Sequence, residues 1–163
     1  AVAVNRIRQA RRPALVIDLG TACTVDLITP DGAFEGGAIF PGVFLSARAL
    51  HTGTATLPQL TPDSADNRPC PVGKSTQAAI TSGLYWGTIG AVRELVDRIS
   101  QQCDDSPQLY FTGGGAPQLV AHFQDDCHTI RHIPHLVLAG MALVADRIKV
   151  GKQANNDASE EMK

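Results

Sequence analysis

The alternation of apolar and polar positions divides the chain into short segments of clear type. Residues 1–9 have helical spacing and run into "RQARRP", charge followed by a proline stop. "ALVIDLG" (14–20) is a near-continuous apolar run, the kind of strand that is buried on both faces. "CTVDLITPDG" alternates in part and ends in Pro30-Asp31-Gly32, a turn signal. "AFEGGAIFPG" (33–42) reads as a third strand, so residues 14–41 predict an antiparallel meander. "VFLSARALHTGTATL" (43–57) returns to helical spacing, and the proline-rich polar stretch 58–73 predicts an exposed loop. Ser75 or Thr76 caps a long helix that runs to about Gln102. Ile80, Leu84, Val92, Leu95, Val96 and Ile99 fall on one broad face of it. Gly83, Gly87 and Gly90 interrupt that helix, and each glycine costs roughly 1 kcal/mol relative to alanine. Their presence predicts close approach of another backbone.

"LYFTGGG" (109–115) is a buried strand entering a glycine turn, and "APQLVAHF" opens a short helix with Pro117 in its first turn. "CHTIRHI" (127–133) is a further strand, and "LVLAGMALVADRI" (136–148) is a closing amphipathic helix. The polar tail 149–163 predicts disorder. The order β-β-β-α-α-β-α-β-α implies an α/β fold, a mixed sheet with helices on its faces.

Composition narrows the class without naming it. A chain of 163 residues, 44% apolar and 18% charged, can bury one sizeable core. A net charge of −2 exerts no long-range pull on nucleic acid or an anionic membrane, which argues against direct nucleic-acid contact. Four scattered cysteines, with no C-x-x-C pair, read as reduced cytoplasmic thiols. No run of 18 apolar residues occurs, so no membrane span is expected. The opening "AVAVNRIRQARRP" places its charges after its apolar residues, the wrong order for a signal peptide. It reads better as the tail of a helix that begins upstream, so the chain is expected to be a fragment.

Two turns carry candidate chemistry. In Asp18-Leu19-Gly20-Thr21, Gly20 lets a phosphate approach main-chain N–H groups, Thr21 adds a hydroxyl, and Asp18 offers a hard carboxylate to a cation. The plainer reading is a hairpin whose Asp and Thr satisfy their own turn. In Thr112-Gly113-Gly114-Gly115 a strand ends in glycines before a helix N-terminus, which offers free N–H groups; a tight β-α turn would look the same. "GKST" (73–76) fails as a P-loop, because Arg68 stands where the motif needs its first glycine and no strand feeds it. Ser75 and Thr76 there read as helix caps, with a substrate-facing hydroxyl left open. His122, Cys127, His128, His132 and His135 match no zinc spacing and read as a surface strand end.

Four ordered stretches together resemble the C-terminal lobe of a type III pantothenate kinase. They are "VIDLGTACTVDLITPDG", "GGAIFPGVFLSARALHTGTATLP", "STQAAITSGLYWGTIGAV" and "LYFTGGGAPQL", and the resemblance covers roughly residues 1–148. It implies an RNase H-like, actin-like ATPase lobe over 14–148, preceded in 1–13 by the end of an upstream helix. The family has two such lobes with ATP in the cleft between them, and works as a homodimer in the cytoplasm. By the resemblance, Asp18 holds a potassium ion, Gly20 and Thr21 contact ATP, and Thr112, Gly113 and Gly114 form the adenosine-side turn. Thr76 matches the threonine lining the pantothenate site, with Ser75 in place of the family's asparagine. The helix over 75–102 lies where family members build their subunit contact. The family's Asp-x-Gly-Asn turn is absent, as is the Gly-x-Asp-Arg motif that carries the general base. The implied activity is ATP-dependent phosphorylation of pantothenate, with Mg2+ and K+, in a whole of which this chain alone lacks the base. Alternatives within the same fold are a regulatory factor acting through a protein partner, another small-molecule kinase, or a purely structural dimerisation lobe.

Overall fold

In a computed structural model, which describes residues 1–60, 68–123 and 129–160 (the backbone only over 150–160), the first half of the chain is built on β1 (Ala14–Leu19). Its alternate residues feed two cores. Leu15, Ile17 and Leu19 point to one face of the sheet, while Ala14 and Val16 point to the other. That two-sided burial is what the unbroken apolar run requires. β2 (Ala22–Ile28) and β3 (Phe34–Pro41) follow as the antiparallel meander, with Leu19 opposite Cys23 and Ala22 opposite Pro41. After the helices, β4 (Gln108–Thr112) and β5 (Ile130–His132) join in parallel, giving the strand order β3-β2-β1-β4-β5. The sheet is therefore mixed, as expected, with β1 at its centre.

Helices cover both faces. α1 (Val4–Ile7) and α5 (Leu136–Glu160) lie on one side, where Val4 and Leu136 close over Ile28 and Tyr110. α3 (Thr76–Ser100) and α4 (Ala116–Val120) lie on the other, where Ile89, Val92, Val96 and Leu119 pack on Ile17, Val25 and Phe111. α2 (Val43–Thr52) joins β3 to this side. Ser75 is the α3 cap: its Oγ accepts from the Ala78 N–H at 3.2 Å. The segment before the cap is fastened along α3, since Ser82 Oγ donates to the Pro71 carbonyl and Trp86 Nε1 to that of Pro69.

Several boundaries differ from the sequence reading. α2 stops at Thr52 rather than 57, because Gly53 ends it with an N–H on Ala49 and the next residues turn. β5 is shorter than 127–133; Cys127 and His128 lie outside the described residues, as does 61–67 of the predicted loop. The backbone of α5 runs to Glu160, past the expected end at 148. The stretch 149–160 contains no proline to stop the helix. Finally, among the described residues nothing outside the adjoining turns of α3 comes within 4 Å of where a side chain would start on Gly83, Gly87 or Gly90. The predicted close backbone approach is not made by the described residues of this chain.

Candidate functional site

Because β1, β4 and β5 are parallel, their carboxyl ends open at one edge of the sheet, where open α/β sheets bind ligands. The turn after β1 is tight: the Gly20 N–H donates to the Ala22 carbonyl at 3.1 Å, leaving Gly20 and Thr21 exposed. Gly42 braces it from below. Its N–H donates to the Thr21 carbonyl at 2.9 Å, and a Cβ on Gly42 would collide with the Gly20 carbonyl oxygen. Only glycine permits that approach.

The turn after β4 is bound to the same strand end. Thr112 pairs with Asp18 in the parallel register and is buried. Gly113 has φ +88, and a Cβ there would stand 2.5 Å from Asp18 Oδ1 and 2.6 Å from the Leu19 carbonyl carbon. The Gly115 N–H donates to the Leu19 carbonyl at 3.0 Å. Gly114 alone faces open space.

Two hollows meet at this glycine. One of about 90 Å³ lies between Gly20, Gly42, Thr88 and Gly114. A larger one, about 440 Å³, is lined by Asp18, Thr112, Gly113 and Gly114 and, across from them, by residues after β5. Gly20 and Gly114, 94 positions apart in sequence by subtraction, thus border one space.

Asp18 is the electrostatic centre of the edge. It shares a sheet face with Thr24, directly opposite on β2, and with Asp26, two residues further on. Burial, and then the neighbouring Asp26 charge, push the Asp18 carboxyl above its ordinary range. Thr24 Oγ1 donates to Asp26 Oδ2 at 2.9 Å. Among the described residues the one ion pair joins Arg98 to Glu94, far along α3, so no basic side chain offsets these two carboxylates. Cys23, buried behind the turn, has its thiol pushed up to about 12 by burial and by Asp18, which makes it an inert core residue.

Of the residues singled out from sequence, Asp18, Gly20, Thr112, Gly113 and Gly114 come together here, with Thr21 at the rim. Thr76 does not join them. It begins α3, exposed, twelve positions before Thr88, or roughly 18 Å along the helix. Sequence reasoning did not single out Gly42 by itself, nor Thr24 and Asp26, although the alternation of β2 places both side chains on the Asp18 face. His132 and His135 border the larger hollow; the parallel placement of β5, unreadable locally, is what brings them there. His122 belongs elsewhere: its Nε2 lies 2.8 Å from Tyr85 Oη, in an aromatic group with Trp86.

A mixed sheet whose parallel strand ends gather glycine turns around a shared hollow defines an α/β lobe of the actin-like ATPase type. A solved structure described as "Alp12 filament structure" matches it with a TM-score of 0.55, covering 91% of this chain and 52% of that one. At 14% identity that likeness concerns the fold alone. In sequence, the family model for type III pantothenate kinase matches residues 1–98. A type III pantothenate kinase of Gluconobacter oxydans is 41% identical over 136 residues, 83% of this chain and 48% of the relative. One from Synechococcus elongatus is 41% identical over 137 residues, 84% and 53% of the two chains. The chain belongs to the type III pantothenate kinase family, and it spans about half the length of these curated relatives.

Proposed function

We propose that this chain is the C-terminal lobe, over 14–148, of a kinase that moves the γ-phosphoryl group of ATP onto the primary hydroxyl of pantothenate, opening coenzyme A synthesis in the cytoplasm. The observation that carries the reading is the common hollow bordered by Gly20 and Gly114. Phosphoryl transfer passes through a loose transition state, so the protein contributes alignment and charge more than covalent chemistry. The exposed turn at Gly20 and Thr21, and the open backbone of Gly114 beside Thr112 and Gly113, suit the phosphates of ATP. Magnesium travels with the nucleotide.

Asp18 fits a monovalent cation such as potassium. Its carboxylate is penalised by burial and by Asp26, and a cation beside it would relieve both. The family's general-base aspartate has no counterpart in residues 1–163, so on this reading the base comes from the rest of an intact kinase. Thr76 is expected to reach pantothenate from the far end of α3, away from the phosphate turns. The same helix is proposed as the homodimer contact: Gly83, Gly87 and Gly90 leave an open surface on it that no other element among the described residues fills.

The test is made on an intact kinase carrying this lobe, with phosphorylation of pantothenate followed by product formation. Asp18→Ala is expected to abolish potassium-stimulated turnover. Unchanged turnover with an unchanged potassium response would remove Asp18 from the site.

A further inference from the structure

The segment that leads into α3 doubles back along the helix, and the reading above leaves that path without a task. Residues 69–74 meet α3 at three heights. Gly73 lies on the first turn, where a Cβ would stand 2.2 Å from the Ala79 nitrogen and 2.3 Å from the Ala78 carbonyl carbon. One turn further along, the Pro71 carbonyl accepts the Ser82 hydroxyl at 2.8 Å. One turn beyond that, the Pro69 carbonyl accepts the Trp86 Nε1–H at 3.1 Å. Two extended residues span roughly 6–7 Å, close to the helical pitch of about 5.4 Å, so every second residue of this strap falls on a successive turn.

Apolar packing does little to hold the strap. Val72 is 73% exposed, and a hollow of about 440 Å³ stays open between Val72, Lys74, Ala78 and Thr81. Its place therefore rests on the two hydrogen bonds and the glycine contact. Segments with few buried apolar contacts open at low cost, without unfolding the rest of a domain. The strap runs into Ser75, whose Oγ caps α3 on the Ala78 N–H at 3.2 Å, and Thr76 is the next residue. A strap that lifts carries this cap with it and frees the first turn, whose N–H groups have no partner inside the helix. The placement of Thr76 is thus governed from Trp86, ten positions further along by subtraction.

We propose that the strap over 69–74 presents Thr76 to pantothenate, and that Trp86, which touches no substrate itself, is the positioning residue that fixes the strap. This deepens the kinase reading and rests on it. Thr76 stands away from the phosphate turns, so its displacement weakens pantothenate binding in the ground state and the transition state alike. Such a loss raises the KM for pantothenate and leaves kcat in place.

The experiment measures steady-state kinetics of the intact kinase carrying this lobe, with pantothenate and ATP varied in turn. Trp86→Phe keeps a ring against Tyr85 and His122 but removes the N–H that holds Pro69. It is expected to raise the KM for pantothenate about three- to tenfold, the worth of one hydrogen bond. Gly73→Ala forces the strap off the first turn and should raise it at least as much. In both variants the KM for ATP and kcat should stay with the parent. Tyr85→Phe is the control: it breaks the neighbouring 2.8 Å bond to His122 Nε2 without touching the strap, and should keep the parent's KM for pantothenate. An unchanged KM for pantothenate in Trp86→Phe would overturn the assignment of Trp86 while leaving the kinase reading in place. An equal rise in the KM for ATP, or the same rise in Tyr85→Phe, would overturn it too, as a general loosening of α3. A parent protein that does not phosphorylate pantothenate would take the kinase reading down, and this inference with it.

Discussion

Adjacent glycines in the turn after β4 should respond to the same substitution in opposite ways. Gly113→Ala meets two penalties. With φ at +88 a side chain enters the left-handed region, at about 1–2 kcal/mol. Its Cβ would then lie 2.5 Å from Asp18 Oδ1, 2.6 Å from the Leu19 carbonyl carbon and 2.7 Å from the Leu19 nitrogen. The carboxylate can swing away, but the Leu19 backbone is held by its pairing with Cys23 and by the Gly115 N–H. Displacing it adds about 1–3 kcal/mol, as overpacking does. The sum of about 2–5 kcal/mol corresponds to a melting temperature lower by roughly 5–15 °C for a chain this long. Gly114→Ala meets no atom within 4 Å and no positive φ. It should raise stability by about 0.4–1 kcal/mol by narrowing the unfolded ensemble. Its methyl group would nevertheless stand in the hollow and weaken nucleotide binding in the intact kinase. Circular dichroism melts of the parent and both variants decide the matter. A Gly113→Ala protein that melts with the parent, or a Gly114→Ala protein lowered as much as Gly113→Ala, would refute the account of this turn.

Further outcomes follow from the electrostatics and the core. The folded state holds the Asp18 proton more tightly than the ordinary value of 3.8, so the stabilisation from that proton is complete below 3.8 and lost as pH rises through the raised value. Asp18→Asn should therefore melt above the parent at neutral pH without added potassium and converge with it in acid; a lower melting temperature at neutral pH would contradict this. His122 runs the other way: burial first, then Arg68 and Arg93, lower its pKa from 6.5. Stability linked to it is present above 6.5 and lost as pH falls below, and His122→Asn should flatten that dependence in melts across the range. Phe111→Ala, which empties a fully buried site between the sheet, α3 and Phe123, should cost about 3–5 kcal/mol in urea unfolding. Glu94→Gln breaks an exposed ion pair and should leave the melting temperature where it was.

The elements were legible where a pattern was local. The unbroken run at 14–20 foretold a central strand buried on both faces, and Pro30-Asp31-Gly32 marked the hairpin between β2 and β3. Ser75 announced the start of α3. Where the outcome depended on distant neighbours, the sequence was silent. Nothing near His135 states that β5 lies parallel to β4, so its histidines read as a surface strand end. Glycines show the same limit. Those at 83, 87 and 90 raised the expectation of a close backbone that the described residues do not supply, while Gly42, whose neighbour is a carbonyl from a different strand end, drew no notice alone. The two phosphate-type turns were visible as candidates, but only the sheet register, with Asp18 beside Thr112, brings them to one edge.

Features that local physics disfavours are not spread evenly over this fold. Asp18, whose ionisation is opposed by burial and by a like charge, lies at the carboxyl end of β1. Gly113, held at φ +88 against the Leu19 backbone, ends β4, and His135, at φ +62, follows β5. Gly42, pressed on the Gly20 carbonyl, supports the same edge. The opposite end of β1 has counterparts of its own, Arg11 at φ +61 in the turn that enters the strand and Gly32 at φ +95 in the hairpin between β2 and β3, but among the described residues they surround no shared hollow with a strand-end carboxylate. Between the two ends, the central strands β1 and β4 are regular and bury Leu15, Ile17, Leu109 and Phe111 completely. Sequences that fold well keep each local choice in agreement with the whole and depart from that agreement where function demands it. Three departures at the ends of three parallel strands, around a hollow sized for a small molecule, point to ligand binding at that edge more strongly than any one of the turns does separately.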